Sequence, residues 1–117
     1  MSTLQQLTTA DELEAALQSP GPILIFKHSP TCGISAQAME EVEEFLAGPA
    51  LGAPVFYVLV GEGRAVSNAI ATRFNIRHQS PQVFLVDRGV VLWHASHFRV
   101  TAGEIRSALE RSAQPTA

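Results

Sequence analysis

Apolar and polar positions along this chain follow two different periods, and the switches between them mark its elements. Thr9-Ala10-Asp11-Glu12 has the form of a capping box, a hydroxyl followed three residues later by a carboxylate. It predicts a helix that turns Leu13, Ala16 and Leu17 inward, ended by Pro20-Gly21-Pro22. Ile23-Leu24-Ile25-Phe26 is an unbroken apolar run between turn residues, the mark of a strand buried on both faces. The period then becomes helical. Ile34, Ala38, Val42 and Phe45 share one face, Glu40, Glu41, Glu43 and Glu44 make a wet one, and Gly48-Pro49 is the stop.

Residues 55–60 predict a second doubly buried strand, and Val66, Ile70 and Phe74 a third helix. After Ser80-Pro81 comes a strand over residues 82–86, a short loop at Asp87-Arg88-Gly89, and a returning strand over residues 90–96. Thr101-Ala102-Gly103-Glu104 repeats the capping-box pattern and opens a last helix with Ile105, Ala108 and Leu109 inward. A right-handed strand–helix–strand crossover makes the first two strands parallel, and the closing hairpin adds an antiparallel pair. This α/β arrangement resembles the thioredoxin fold: a central mixed sheet of four or five strands flanked by about four helices. One domain over residues 1–117 is expected, with residues 113–117 as a flexible tail.

Composition narrows the function classes. Eleven acidic against eight basic side chains give a net charge of −3, and no Lys/Arg stripe points to nucleic acid. No apolar run approaches the roughly 20 residues of a membrane span. Met1-Ser2-Thr3-Leu4-Gln5-Gln6 lacks the charged and apolar regions of a signal peptide. A single cysteine excludes an intrachain disulfide and suits a reducing compartment, so a cytoplasmic location is expected, with neither nucleic-acid nor membrane partners.

That cysteine, Cys32, stands where a strand-like run ends and a helix-like run begins. Unpaired N–H groups at a helix start carry partial positive charge and favour thiolate over thiol. A lone cysteine is also commonly a small buried hydrophobe. Ser35 occupies the place of a dithiol enzyme's second cysteine. It reads either as a donor stabilising the Cys32 thiolate or as a plain polar first-turn residue. Gly33 leaves a substrate sulfur free to approach. A proline entering a central strand lacks a ladder donor. A cis Ser80–Pro81 bond would turn the Ser80 backbone toward Cys32 and offer it to an extended thiol substrate, whereas a trans bond would simply open an edge strand. Lys27, His28, Arg77 and His78 would together form a basic rim for thiolate and anionic substrate, although Lys27 and Arg77 singly read as solvated element ends. Ser67 and Asn68 read as surface or capping residues, and Trp93 as core. No role is assigned to His94 or His97.

Phe26-Lys27-His28-Ser29, Thr31-Cys32-Gly33-Ile34-Ser35, Tyr57-Val58-Leu59-Val60, Val66-Ser67-Asn68, Arg77-His78-Gln79-Ser80-Pro81-Gln82-Val83-Phe84 and Trp93-His94-Ala95-Ser96-His97 resemble blocks of the monothiol bacilliredoxin family, in the family's order. The resemblance implies a thioredoxin-like thiol–disulfide oxidoreductase of bacillithiol-dependent redox homeostasis. Cys32 would remove bacillithiol from S-bacillithiolated client proteins. With no resolving cysteine, an external thiol or a thiol reductase would clear the adduct. No cofactor or metal is implied; bacillithiol enters as a thiol co-substrate. The family's motif carries proline after the cysteine, where this chain has Gly33, which leaves an N–H able to face the thiolate and a looser turn.

Two other classes share part of the motif. Cys-Gly-Ile-Ser is similar to the Cys-Gly-Phe-Ser of monothiol glutaredoxins, which hold an iron–sulfur cluster; their Gly-Gly-containing signature is replaced here by Val90-Val91-Leu92-Trp93-His94. The loop is also similar to that of glutaredoxin-linked arsenate reductases, but Ala36 stands where those carry an arginine.

Overall fold

The structure, a computed structural model, describes residues 4–48 and 53–112. The expected tail at residues 113–117 and the stop residue Pro49 lie outside them. Helices α1 (Ala10–Leu17), α2 (Gly33–Ala47), α3 (Arg64–Phe74) and α4 (Ala102–Ser112) pack on strands β1 (Leu4–Gln6), β2 (Pro22–His28), β3 (Val55–Leu59), β4 (Gln82–Asp87) and β5 (Val90–Ser96). The sheet order is β1-β3-β2-β4-β5. Strands β1 and β2 flank β3 in parallel, β4 runs antiparallel to β2, and β5 antiparallel to β4. The mixed sheet therefore has five strands, and the three-residue β1 at its edge is the one the apolar pattern does not signal.

Strand periodicity divides the core into two layers. Leu24, Phe26, Val83 and Leu85 pack with Ala38, Val42, Phe45, Ile105 and Leu109 of α2 and α4. Ile23, Ile25, Phe84 and Val86 face the other way, against Leu13, Leu17, Val66 and Ile70 of α1 and α3. Phe26 and Phe84 are fully buried, one in each layer; each contributes about 1.5–3 kcal/mol.

The caps bear out one sequence expectation and modify another. At α1 both halves of the capping box form: the Glu12 N–H donates to the Thr9 hydroxyl at 3.1 Å, and the Thr9 N–H to the Glu12 carboxylate at 3.1 Å. At α4 the Glu104 N–H donates to the Thr101 hydroxyl at 3.1 Å. The N–H of the following residue, Ala102, donates to the Glu41 carboxylate of α2, at 2.8 Å. Glu41 is thus no member of a wholly wet face; it ties α2 to α4.

The topology collects four segments at one end of the sheet. β2 leaves there toward Cys32, and β4 enters there, since Lys27 pairs with Gln82. β3 ends beside β2, the Val60 N–H donating to the His28 carbonyl at 2.9 Å. β5 ends beside β4, where the His97 N–H donates to the Pro81 carbonyl at 3.0 Å.

Candidate active site

Cys32 is the N-cap residue of α2, with extended backbone (φ −104°, ψ 126°) and a half-buried side chain. Its carbonyl already accepts the Ala36 N–H at 3.0 Å, while its N–H donates to the Ser29 carbonyl at 3.1 Å. The N-cap position is where a Ser or Asp side chain ordinarily receives the free N–H groups of the first turn. Here the sulfur occupies it and makes no cap hydrogen bond. Those donors and the positive end of the helix dipole lie beside the thiol, ready for negative charge on sulfur. Gly33 is exposed, and a Cβ there would meet nothing within 4 Å among the described residues beyond its chain neighbours.

Ser35 is fully buried. Its hydroxyl accepts the Ser29 N–H at 2.8 Å and lies 2.8 Å from His28 Nδ1. The side chain is therefore engaged in holding the Cys32 loop onto the end of β2. His28, 9% exposed, also stacks on Phe26 with 5.6 Å between ring centroids. Burial pushes its pKa down, opposed by hydrogen bonding at Ser35 and by the charge of Glu43. His28 is accordingly a neutral member of the α2/α4 layer.

Lys27 points to the opposite layer. Its side chain is 0% exposed and its Nζ lies 3.1 Å from His78 Nδ1 and 5.8 Å from the centroid of Phe84. Burial lowers its pKa to about 8. An ammonium can only donate, so His78 accepts at Nδ1 and carries its proton on Nε2. Burial and the Lys27 charge both push the His78 pKa down. Ser67, buried rather than on the surface, places its hydroxyl 3.3 Å from the same Nδ1. Of the four residues expected as a basic rim, only Arg77 and His78 reach solvent.

The Ser80–Pro81 bond is cis. Pro81 is buried, and the Ser80 hydroxyl is buried with no hydrogen-bond partner among the described residues. Gln82, 1% exposed, donates from Nε2 to the Arg77 carbonyl at 3.2 Å and accepts the Gln79 N–H at 3.2 Å. Gln82 is a site residue beyond those expected above, and its signal in the chain is a lone amide opening an otherwise apolar strand.

Two clefts are lined in part by residues close to Cys32 in the chain, one by those before it and one by those after it. One, of about 310 Å³, is lined by Ser29, Pro30, Thr31, Leu59, Gly61 and Glu62. The other, of about 100 Å³, lies between Ile34, Ala38 and Glu41 of α2 and the turn at His97 and Phe98. Phe98 is 70% exposed there, and His97 adopts a left-handed φ of 55°. His94 is exposed at the sheet edge, its ring 6.2 Å from that of Phe84, and Trp93 is half-buried against the α2/α4 layer.

Comparison with known proteins agrees with this geometry. A solved structure described as a candidate oxidoreductase with a thioredoxin fold is 28% identical, with a TM-score of 0.83 over 90% of this chain and 92% of its own. A thioredoxin variant from Halobacterium salinarum NRC-1 is 16% identical, with a TM-score of 0.79 over 100% and 98%. The thioredoxin of Malassezia sympodialis is 13% identical, with a TM-score of 0.77 over 97% and 94%. At those two identities the likeness speaks for the fold alone. The family model for monothiol bacilliredoxin BrxC matches residues 5–105. A thioredoxin fold with one cysteine at the head of α2, matched over almost its whole length, places this chain in the monothiol bacilliredoxin family.

Proposed function

We propose that this protein is a thiol–disulfide oxidoreductase whose Cys32 removes bacillithiol from S-bacillithiolated proteins. The observation that carries the reading is the position of Cys32: a half-exposed sulfur at the N-cap of α2, facing uncapped N–H groups, in a chain of this family. The Cys32 thiolate attacks the bacillithiol sulfur of the mixed disulfide. One S–S bond breaks, a Cys32–bacillithiol disulfide forms, and the client cysteine leaves as thiolate and takes a proton from water. There is no net oxidation in that step. A second thiol, free or on a reductase, then attacks the bacillithiol sulfur and returns Cys32 to the thiolate.

Several features support a role for the neighbours. The first-turn N–H groups, that of Gly33 included, stabilise negative sulfur. In this reading the Ser80 backbone, ahead of the cis bond to Pro81, receives the extended disulfide, and exposed Arg77 adds positive charge for the carboxylates of an anionic thiol. Ser35, held by His28 and Ser29, keeps the thiol loop in place. A reducing compartment such as the cytoplasm suits a free thiol.

The test is mass spectrometry of the intact protein after incubation with a bacillithiolated client. One adduct on Cys32 and one released client thiol are expected, slower transfer from the glutathionylated counterpart, and none with Cys32→Ser. A folded wild-type protein that acquires no adduct would overturn the reading.

A further inference from the structure

We propose that Lys27 and Gln82 form a buried polar clamp that sets the position of the Arg77–Gln79 segment, and through it the Ser80 backbone, for docking of the incoming disulfide. Both are then positioning residues, not charges of a rim. The inference rests on the reading that Cys32 attacks a disulfide whose chain lies along Ser80.

Lys27 and Gln82 are direct partners on adjacent antiparallel strands, so their side chains leave the sheet on the same face. They are 0% and 1% exposed beside a layer built mainly of Ile, Val, Leu and Phe, with Ser67 the other buried polar side chain near them. Polar groups in such surroundings cost free energy unless hydrogen bonds offset the loss of water. The bonds they make converge on one target. Lys27 Nζ reaches His78 Nδ1 at 3.1 Å, Gln82 Nε2 donates to the Arg77 carbonyl at 3.2 Å, and Gln82 Oε1 accepts the Gln79 N–H at 3.2 Å. Three consecutive residues are thereby each held by one atom. Residues 76–79 have no regular secondary structure, and they lead directly into Ser80 and Pro81.

The clamp therefore joins the two halves of the site. Lys27 lies five residues before Cys32 on the β2 side, and Gln82 two residues after Ser80 on the β4 side. An apolar pair at these positions would fill the same space but would leave the segment without its three anchors.

Lys27→Met keeps the length of the side chain and removes its donors. The expected result is a rise of about tenfold in KM for a bacillithiolated client, the scale of one lost hydrogen bond. Alkylation of Cys32 by iodoacetamide should stay within about twofold of wild type, at low and high salt alike, because that reagent needs no docking. Exposed His78 offers a second variant that spares the core. His78→Ala should reproduce the KM effect. His78→Asn, whose Oδ1 falls where Nδ1 was, should restore it.

Hydrogen exchange decides the clamp apart from the substrate: the Gln79 amide should exchange about tenfold faster in Lys27→Met and His78→Ala. Unchanged exchange at Gln79 would overturn the clamp. An equal loss of alkylation and client transfer would also overturn it, because Lys27 would then act through charge on the thiol. A wild-type protein inert toward the client, with the exchange pattern as expected, would instead refute the functional reading and leave the clamp standing.

Discussion

Ser35→Ala distinguishes a serine that serves the thiol from one that holds the loop. The hydroxyl is fully buried and makes two contacts of 2.8 Å, with the Ser29 N–H and with His28 Nδ1. Alanine fits the space and creates a void smaller than a water molecule, so packing changes little. What it leaves is one backbone donor and one ring nitrogen unpartnered in a low-polarity layer. Each such group costs about 1–1.5 kcal/mol, so the variant should lose about 2–3 kcal/mol of stability. For a domain of this length that corresponds to a fall of about 10 °C in Tm. The assay is paired thermal and urea unfolding near pH 7.5, with an unchanged urea slope as the sign that the unfolded state is unaltered. The folded variant should still take the bacillithiol adduct on Cys32. A Tm within about 2 °C of wild type would refute the structural role. So would a fully stable variant that no longer forms the adduct, since the hydroxyl would then be acting on sulfur.

Three further outcomes follow from other parts of the molecule. Lys27 has a folded-state pKa near 8 against an ordinary 10.5, so between those values the unfolded chain holds more protons. Stability should therefore rise as pH goes from about 8 to 10.5, and urea midpoints of Lys27→Met should lack that slope. His28 is held below its ordinary 6.5 by burial, so the unfolded chain protonates first as pH falls. Its stabilising contribution is complete above pH 6.5 and declines below it, and urea midpoints that stay flat from pH 7 to 5.5 would contradict this. Arg88 and Gly89 both have positive φ, 52° and 82°, in the β4–β5 hairpin. Arg88→Asn should add about 0.5–1 kcal/mol, read as a higher urea midpoint, because asparagine adopts that backbone at less cost.

Four of the five strands and all four helices of the described residues were legible because their signals are local. Ile23-Leu24-Ile25-Phe26, the two Thr-x-x-Glu starts and the helical spacing of Ala38, Val42 and Phe45 each lie within one element. The start of the chain carries no such signal. Leu4-Gln5-Gln6 is polar at two of three positions, and its strand exists because β3 has a free edge to pair with. The thiol was equally legible from Cys32 at a strand–helix junction. The surroundings of the thiol were not. Lys27 and His28 look like an exposed dipeptide at a strand end, yet β2 continues through both and pairs with strands on either side. What each side chain meets there, His78 for one and Ser35 for the other, lies 51 and 7 positions away in the chain. No spacing in a single sequence encodes those contacts.

Lys27 and His28 are neighbours in the chain, yet one supports the Ser80 side of the site from the α1/α3 layer and the other supports the Cys32 side from the α2/α4 layer. A strand repeats every two residues, so inserting or deleting one residue in β2 would exchange the two faces. An imidazole would face the β4 side and an amine would replace it under the thiol loop, and both halves of the site would lose their anchors together. β2 is thus a segment where descent can proceed by substitution but not by a change of length. Among diverged members of the family, an intact count from Ile23 to Cys32 should outlast the identity of nearly every residue within it.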